Sequence, residues 1–285
     1  MSKSSRNKIL EFFVDKKFYK ETWYFYLTGE WHEPLPNELK NYRRFYDSQY
    51  RFNWSFPSEL HCHECGKPMT GFWGTMFRPM GSAPSSFSPK LCIACENAAR
   101  QYESGAEVEL SMIFADVRDS TPLAESLGPS GFKEIIGRFY KETSKVLVER
   151  NAMVNRLMGD QVIALFVPRF VGKNHAEVAL EAAKDLLRVT GHGAGNEPWV
   201  PVGSGVHTGS AYVGAVGAAD GVSEIAVLGS AANMCARLSS KAAAGEILIS
   251  EDSIKSGNLD VNGLESRSLE LKGVSQPVAV SVVQM

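Results

Sequence analysis

Val108, Leu110, Met112 and Phe114 fall on alternate positions, the period of a strand with one buried face, and the run ends by carrying Asp116 into Val-Arg-Asp-Ser-Thr. Thr121 followed by Pro122 predicts a helix start, with threonine as N-cap and proline in the first helical position. The free N–H groups of that helix start would lie beside Asp116, which suits a phosphate chain neutralised by metal. Phe132, Ile135, Ile136, Phe139, Tyr140 and Ser144 then recur at helical spacing, and Val146 and Leu147 continue the stripe. This predicts a core-facing helix over 132–150. Residues 153–166 read as two strands joined at Gly159-Asp160, a hairpin whose turn exposes a second carboxylate. An amphipathic helix over 175–189 follows, and 200–216 reads as a glycine-rich strand pair. Strand, helix, hairpin, helix, strand is a split β-α-β-β-α-β layout with helices on one face of a sheet. It puts Asp116 and Asp160 on neighbouring central strands. Further strands are predicted at 224–228, 246–250, 269–272 and 277–283, with Asn233 and Arg237 four apart on one face of an intervening helix.

The residues before this pattern have a different character. Of the 29 Phe, Trp and Tyr in the 285-residue chain, 20 lie in the first 100 residues, which implies two separate cores. One or two short helices broken at Pro34-Leu35-Pro36 are expected there, their crowded rings serving packing, and the mixed basic stretch 40–51 reads as a solvated face. Cys62-His-Glu-Cys65 and Cys92-Ile-Ala-Cys95 are two Cys-x-x-Cys knuckles, the spacing that places four thiolates around one tetrahedral, structural Zn²⁺. His61 and His63 are poorer ligands because they flank Cys62. Residues 1–60 are accordingly read as an aromatic-rich region, 61–105 as a four-cysteine, zinc-ribbon-like segment and 106–285 as a third, α+β domain. A hydrophobic share of 44%, a charged share of 22% and a formal net charge of −2 are ordinary for a globule and give no sign of bulk nucleic-acid affinity. No apolar run approaches a membrane span and no secretory signal is evident, so a cytoplasmic protein is expected, where clustered cysteines favour metal over disulfides.

Phe114-Ala-Asp116, Met158-Gly-Asp160, Gly205-Val-His-Thr-Gly209, Asn233-x-x-x-Arg237 and Leu271-Lys-Gly273 together resemble, in order and spacing, the landmarks of the class III nucleotidyl cyclase catalytic domain. The resemblance covers about residues 106–285. It implies a ferredoxin-like split βαββαβ fold, and a homodimeric lyase that converts a nucleoside triphosphate to a 3′,5′-cyclic nucleotide and diphosphate. In that reading Asp116 and Asp160 hold two Mg²⁺ or Mn²⁺ ions, with the Val117 carbonyl completing one shell. Ser120 and Thr121 lie by the phosphates, Asn233 orients the ribose, Arg237 stabilises charge at the reacting phosphate, and Lys272 holds the terminal phosphates. The chemistry agrees: hard oxygen ligands suit these cations, and a guanidinium fork suits charge spread over two oxygens. His207 and Cys235 are read as packing residues. A second alternative is an inactive cyclase-like regulatory or interaction protein; such degenerate domains usually lose one of the metal aspartates, the asparagine or the arginine, and this chain retains Asp116, Asp160, Asn233 and Arg237.

Relatives read the base with side chains four residues before the second aspartate and seven before the asparagine. Adenylate cyclases commonly have Lys with Asp or Thr there, and guanylate cyclases Glu with Cys; this chain has Arg156 and Ala226. Alanine accepts no bond from adenine's exocyclic amine, and a buried amine left without a partner costs about 1–3 kcal/mol. Arg156 without a neighbouring acceptor fits a carbonyl-rich edge such as uracil, as in bacterial antiphage cyclases whose cyclic UMP or cyclic CMP is read by a separate effector protein. ATP, its amine met by a backbone carbonyl or water, is the alternative. Asp119, where many relatives have glycine, adds a charge near the phosphate site.

Overall fold

The structure, a computed structural model, describes residues 16–32, 35, 37–85, 88–101, 104–193, 195, 197–217 and 223–285. The expected chain break at Pro34 and Pro36 and the start of the first expected helix lie outside the described residues. The chain divides into two compact units, residues 1–108 with 212–227, and residues 109–211 with 228–285.

In the first unit, helices α1 (Lys16–Thr28) and α2 (Asn37–Trp54) bury Trp23, Tyr26, Leu27, Leu39 and Tyr46. Phe25 stacks on Trp31 at 4.4 Å and meets Tyr46 edge-on at 5.3 Å, so the aromatic density is packing. Helix α3 (Gly71–Phe77) lies between the two cysteine knuckles, and α4 (Ile93–Gln101) opens inside the second and carries Cys95. Gly66 closes the first knuckle at φ 72°, its N–H donating to the Cys62 carbonyl at 2.8 Å; the Tyr50 carbonyl oxygen would lie 2.6 Å from any Cβ at this position. The Sγ atoms of Cys62, Cys65, Cys92 and Cys95 all lie within 4.8 Å of one another. The Cys92 N–H also donates to the Cys62 sulfur at 3.2 Å. Four soft donors gathered this closely fit one tetrahedral zinc. His61 is engaged elsewhere: its Nε2 meets the Phe56 carbonyl at 2.9 Å and its ring stacks on Trp54.

The remaining elements are β1 (Gly105–Val117), α5 (Ser120–Glu149), β2 (Met153–Met158), β3 (Gln161–Phe166), α6 (Pro168–Val171), α7 (His175–Val189), β4 (Val202–Gly217), β5 (Ser223–Leu228), α8 (Ser230–Lys241), β6 (Glu246–Ser250), α9 (Glu251–Gly257), β7 (Glu265–Leu269) and β8 (Val278–Gln284). The sheet order is β2-β3-β1-β4-β6-β8-β7, with β5 on β4. Its first four strands are the split βαββαβ arrangement. β6 then adds parallel to β4, and β8 and β7 add antiparallel.

Period-two alternation sorts the strands onto two cores. Ile113, Ala115 and Val117 of β1 and Ile247 and Ile249 of β6 pack with Ile136, Phe139 and Leu147 of α5 and Leu186 and Leu187 of α7. Leu248 points the other way, into a second cluster with Leu238, Ala242, Leu271, Val280 and Val282. The expectation of helices on one face is therefore corrected, because α8 covers the opposite face. The contact is close: at Gly205 a Cβ would meet the Ser239 nitrogen at 2.5 Å. Double cover also explains why residues 110–115 of β1 are all buried instead of alternating.

Three further expectations change. Residues 202–217 form one continuous strand, because Gly205 and Gly214 serve close backbone approach and not a turn. The helix after Asp116 starts at Ser120 with Asp119 in the N-cap position, so Thr121 is not the cap; it runs on to Glu149 through a break at Gly128 (φ 64°, ψ 172°), before Pro129. The strand expected at 269–272 ends at Leu269, and Lys272 lies in the following turn.

Candidate active site

The register of β1 on β3 pairs Asp116 with Gln161, and the Val117 N–H donates to the Asp160 carbonyl at 3.0 Å. Two carboxylates distant in sequence are thereby fixed side by side. Gly159 supplies the left-handed turn at φ 65°, and the Tyr140 hydroxyl donates to the Gly159 carbonyl at 2.6 Å, tying the hairpin tip to α5. Asp119 adopts φ 52° and is exposed. Glycine adopts this backbone conformation freely and aspartate tolerates it. Ser120, Thr121, Ala124, Glu125, Phe132, Gly159 and Asp160 line a cleft of about 470 Å³.

Arg118, a residue the sequence pattern does not single out, donates from Nη2 to Asp116 Oδ2 at 2.8 Å. Asp116 Oδ1 is buried and has no hydrogen-bond partner among the described residues. Burial pushes the Asp116 carboxyl above its ordinary range; Arg118 opposes this and Asp160 adds to it. A buried carboxylate oxygen without a donor, next to a second carboxylate, fits a divalent cation with hard oxygen preference.

The sign of that shift sets a stability test. A carboxyl raised in the folded state makes ionisation costly to folding, so stability is lost as pH rises through the folded pKa and is fully present below the unfolded value. In protein desalted free of Mg²⁺ and Mn²⁺, Asp116→Asn should raise Tm by about 2 °C at pH 7, the partial exposure of the pair keeping the effect small, and by nothing at pH 3. Calorimetry at the two pH values checks this.

On the other side of the sheet, α8 presents Asn233 exposed and Arg237 half-buried. Gly273, at φ 74°, lies under the guanidinium, and a Cβ there would come within 3.3 Å of Arg237 Nη2. The turn carrying exposed Lys272 is held by Leu271, which shares the second core with Leu238 of α8. So Arg237 and the Leu271-Lys-Gly273 motif are brought together, whereas Asn233, Arg237 and Lys272 do not line the cleft beside Asp160. Ala226 is half-buried on β5, and Arg156 lies on β2 opposite Ile163, its side chain outside the described residues. In the Gly205–Gly209 motif, His207 Nδ1 meets Ser250 Oγ at 2.8 Å and Thr208 Oγ1 meets Ser111 and Ser253 hydroxyls at 2.6 and 3.0 Å. Burial pushes the His207 imidazole down, which suits a packing residue, and Cys235 is likewise core.

Fold and motifs define a nucleotidyl cyclase catalytic domain. The profile of the Adenylate and Guanylate cyclase catalytic domain matches residues 102–282, and the chain belongs to that class III family. Among curated relatives it is similar to an adenylate cyclase of Anabaena cylindrica, 23% identical over 61% of this chain and 36% of that protein. It is also similar to adenylate cyclase 1 of Rhizobium meliloti, 26% identical over 46% of this chain and 20% of that protein. The chain thus spans about a third or less of the length of these relatives. Among solved structures, the adenylyl cyclase CyaB from P. aeruginosa superposes with a TM-score of 0.55 at 25% identity, covering 64% of this chain and 97% of that one. The guanylyl cyclase Cya2 superposes at 0.56 and 24%, covering 63% and 93%. Among the described residues no helix is long and apolar enough to cross a membrane.

Proposed function

We propose that this chain cyclises a nucleoside triphosphate as a homodimer, the ribose 3′-oxygen displacing diphosphate from its own α-phosphate. The observation that carries this reading is the placement of Asp116 beside Asp160, with an Asp116 carboxylate oxygen that is buried and has no partner among the described residues. These two residues, with the Val117 carbonyl, would hold two Mg²⁺ or Mn²⁺ ions. When bound, such ions favour the alkoxide and neutralise the triphosphate. The backbone N–H groups at the start of α5, with the Ser120 and Thr121 hydroxyls, receive phosphate oxygens. Asn233 orients the ribose, Arg237 stabilises charge on the reacting phosphorus, and Lys272 holds the leaving diphosphate. Separation of these three residues from the Asp160 cleft supports a site completed by a second copy of the chain.

The favoured base is a pyrimidine, with UTP giving cyclic UMP. Half-buried Ala226 offers no side-chain acceptor to an amine, and Arg156 supplies a donor type suited to carbonyl oxygens. Such a product would act in the cytoplasm as a messenger of antiphage defence, read by a separate effector. ATP is the second reading, supported by the names of the curated relatives. Purified protein with Mn²⁺ and each of ATP, GTP, CTP and UTP, with products identified by mass, separates the two. Cyclic UMP should dominate, and Ala226→Thr should move the ATP-to-UTP ratio of kcat/KM upward about tenfold by restoring an acceptor. Cyclic AMP dominating in the wild type would overturn the pyrimidine reading. Absence of any product under all four conditions would count against catalysis by the chain on its own.

A further inference from the structure

Arg118 sits two residues beyond Asp116 and is held on several sides. Its Nε donates to the Asp116 carbonyl at 3.2 Å, and its Nη1 reaches the Ser240 and Ala242 carbonyls, each at 3.4 Å, at the C-terminal end of α8. Its own N–H donates to the Pro201 carbonyl at 2.8 Å. The side chain is 18% exposed, well below what a surface arginine shows. Carbonyls at a helix C-terminus are a favourable seat for a cation. The guanidinium is therefore fixed by backbone groups independently of the Asp116 carboxylate, and its remaining nitrogen meets Oδ2.

We propose that Arg118 is a positioning residue: it locks the rotation of the Asp116 carboxylate, taking Oδ2 as its own partner and leaving Oδ1 aimed for a divalent cation. This inference rests on the metal reading of Asp116 and Asp160. A carboxylate held by a fixed donor loses less rotational freedom when it ligates an ion, which is the usual contribution of groups just behind metal ligands. The same guanidinium, through Nη1, ties the strand end that carries Asp116 to the end of the helix that carries Asn233 and Arg237.

Charge and positioning predict opposite signs. As a bare positive charge next to a cation site, Arg118 repels a divalent ion, and its removal would tighten binding. As a positioning group, its removal weakens binding even though the site becomes more negative. The test is binding of Mn²⁺ alone to the full chain, free Mn²⁺ being followed by electron paramagnetic resonance without nucleotide, in wild type, Arg118→Gln, Arg118→Lys and Asp116→Ala. Arg118→Gln should raise the Kd for Mn²⁺ about tenfold, and Arg118→Lys, which keeps the charge but cannot reach all the partners, should fall between. An unchanged or lower Kd in Arg118→Gln overturns the proposal. If that variant does not fold, Arg118→Lys carries the same comparison, a Kd equal to wild type being the refuting result. Asp116→Ala binding Mn²⁺ as tightly as wild type would instead refute the metal reading on which the proposal stands.

Discussion

Asp160→Ala and Arg237→Ala should each be inactive alone, by about a thousandfold or more, and regain activity when the two are mixed. Asp160 lies in the cleft at the start of α5, whereas Arg237 packs over Gly273 on the opposite face of the sheet. If one active centre takes its carboxylates from one protomer and its arginine from the other, a mixed dimer contains one centre with both residues intact and one with neither. Random pairing of equal amounts makes half the dimers mixed, so about a quarter of wild-type turnover should return. Cyclic nucleotide formation against the mixing ratio measures it. Failure to recover at any ratio would mean that each chain builds its centre alone.

Loss of zinc should unfold the helices and cysteine knuckles of the first unit without unfolding the second. The four sulfurs lie within 4.8 Å of one another, and hydrogen bonds from Cys62, then Cys65 and Cys95, push the Cys92 thiol down toward its thiolate. Structural zinc in small domains contributes on the order of 10 kcal/mol to folding. Cys92→Ser, or a chelator, should therefore expose the aromatic cluster of α1 and α2. Tryptophan fluorescence reads this out, because Trp23, Trp31, Trp54 and Trp73 belong to the first unit, while Trp199 lies in the second beneath Arg138, whose guanidinium carbon is 4.0 Å from the ring centroid. Emission should move to the red on chelation, with the far-ultraviolet signal of the βαββαβ domain largely kept. Unchanged emission after complete zinc removal, confirmed by metal analysis, would show that the thiols need no ion.

The elements that periodicity locates best are those whose sequence and burial agree. The helix over 175–189 and the Gly159-Asp160 hairpin are found as expected, since one has a clear apolar stripe and the other two β-rich runs around a turn residue. The two aspartates meet as expected because a hairpin partner of β1 leaves little choice of register. The misreadings have a common cause in tertiary contact. The glycine-rich stretch 200–216 reads as a strand pair until α8 is seen pressed against Gly205 and the Gly105 backbone against Gly214. Thr121-Pro122 has the chemistry of a helix start, yet the left-handed Asp119 begins the helix sooner. Arg118 is illegible in the sequence because its partners include backbone carbonyls far along the chain. A cation two residues after a strand-end carboxylate is the only local hint.

The turn at Leu271-Lys-Gly273 has a consequence for how the triphosphate would be received. Leu271 and Leu238 are buried in one cluster, so the backbone carrying Lys272 and the helix carrying Arg237 are immobilised together when the chain folds. Lys272 keeps only its own side-chain freedom, and Arg237 lies on a glycine surface with less than that. If these two cations receive the triphosphate as proposed, the ordering entropy of bringing them to one polyanion is largely met by folding, before any nucleotide arrives.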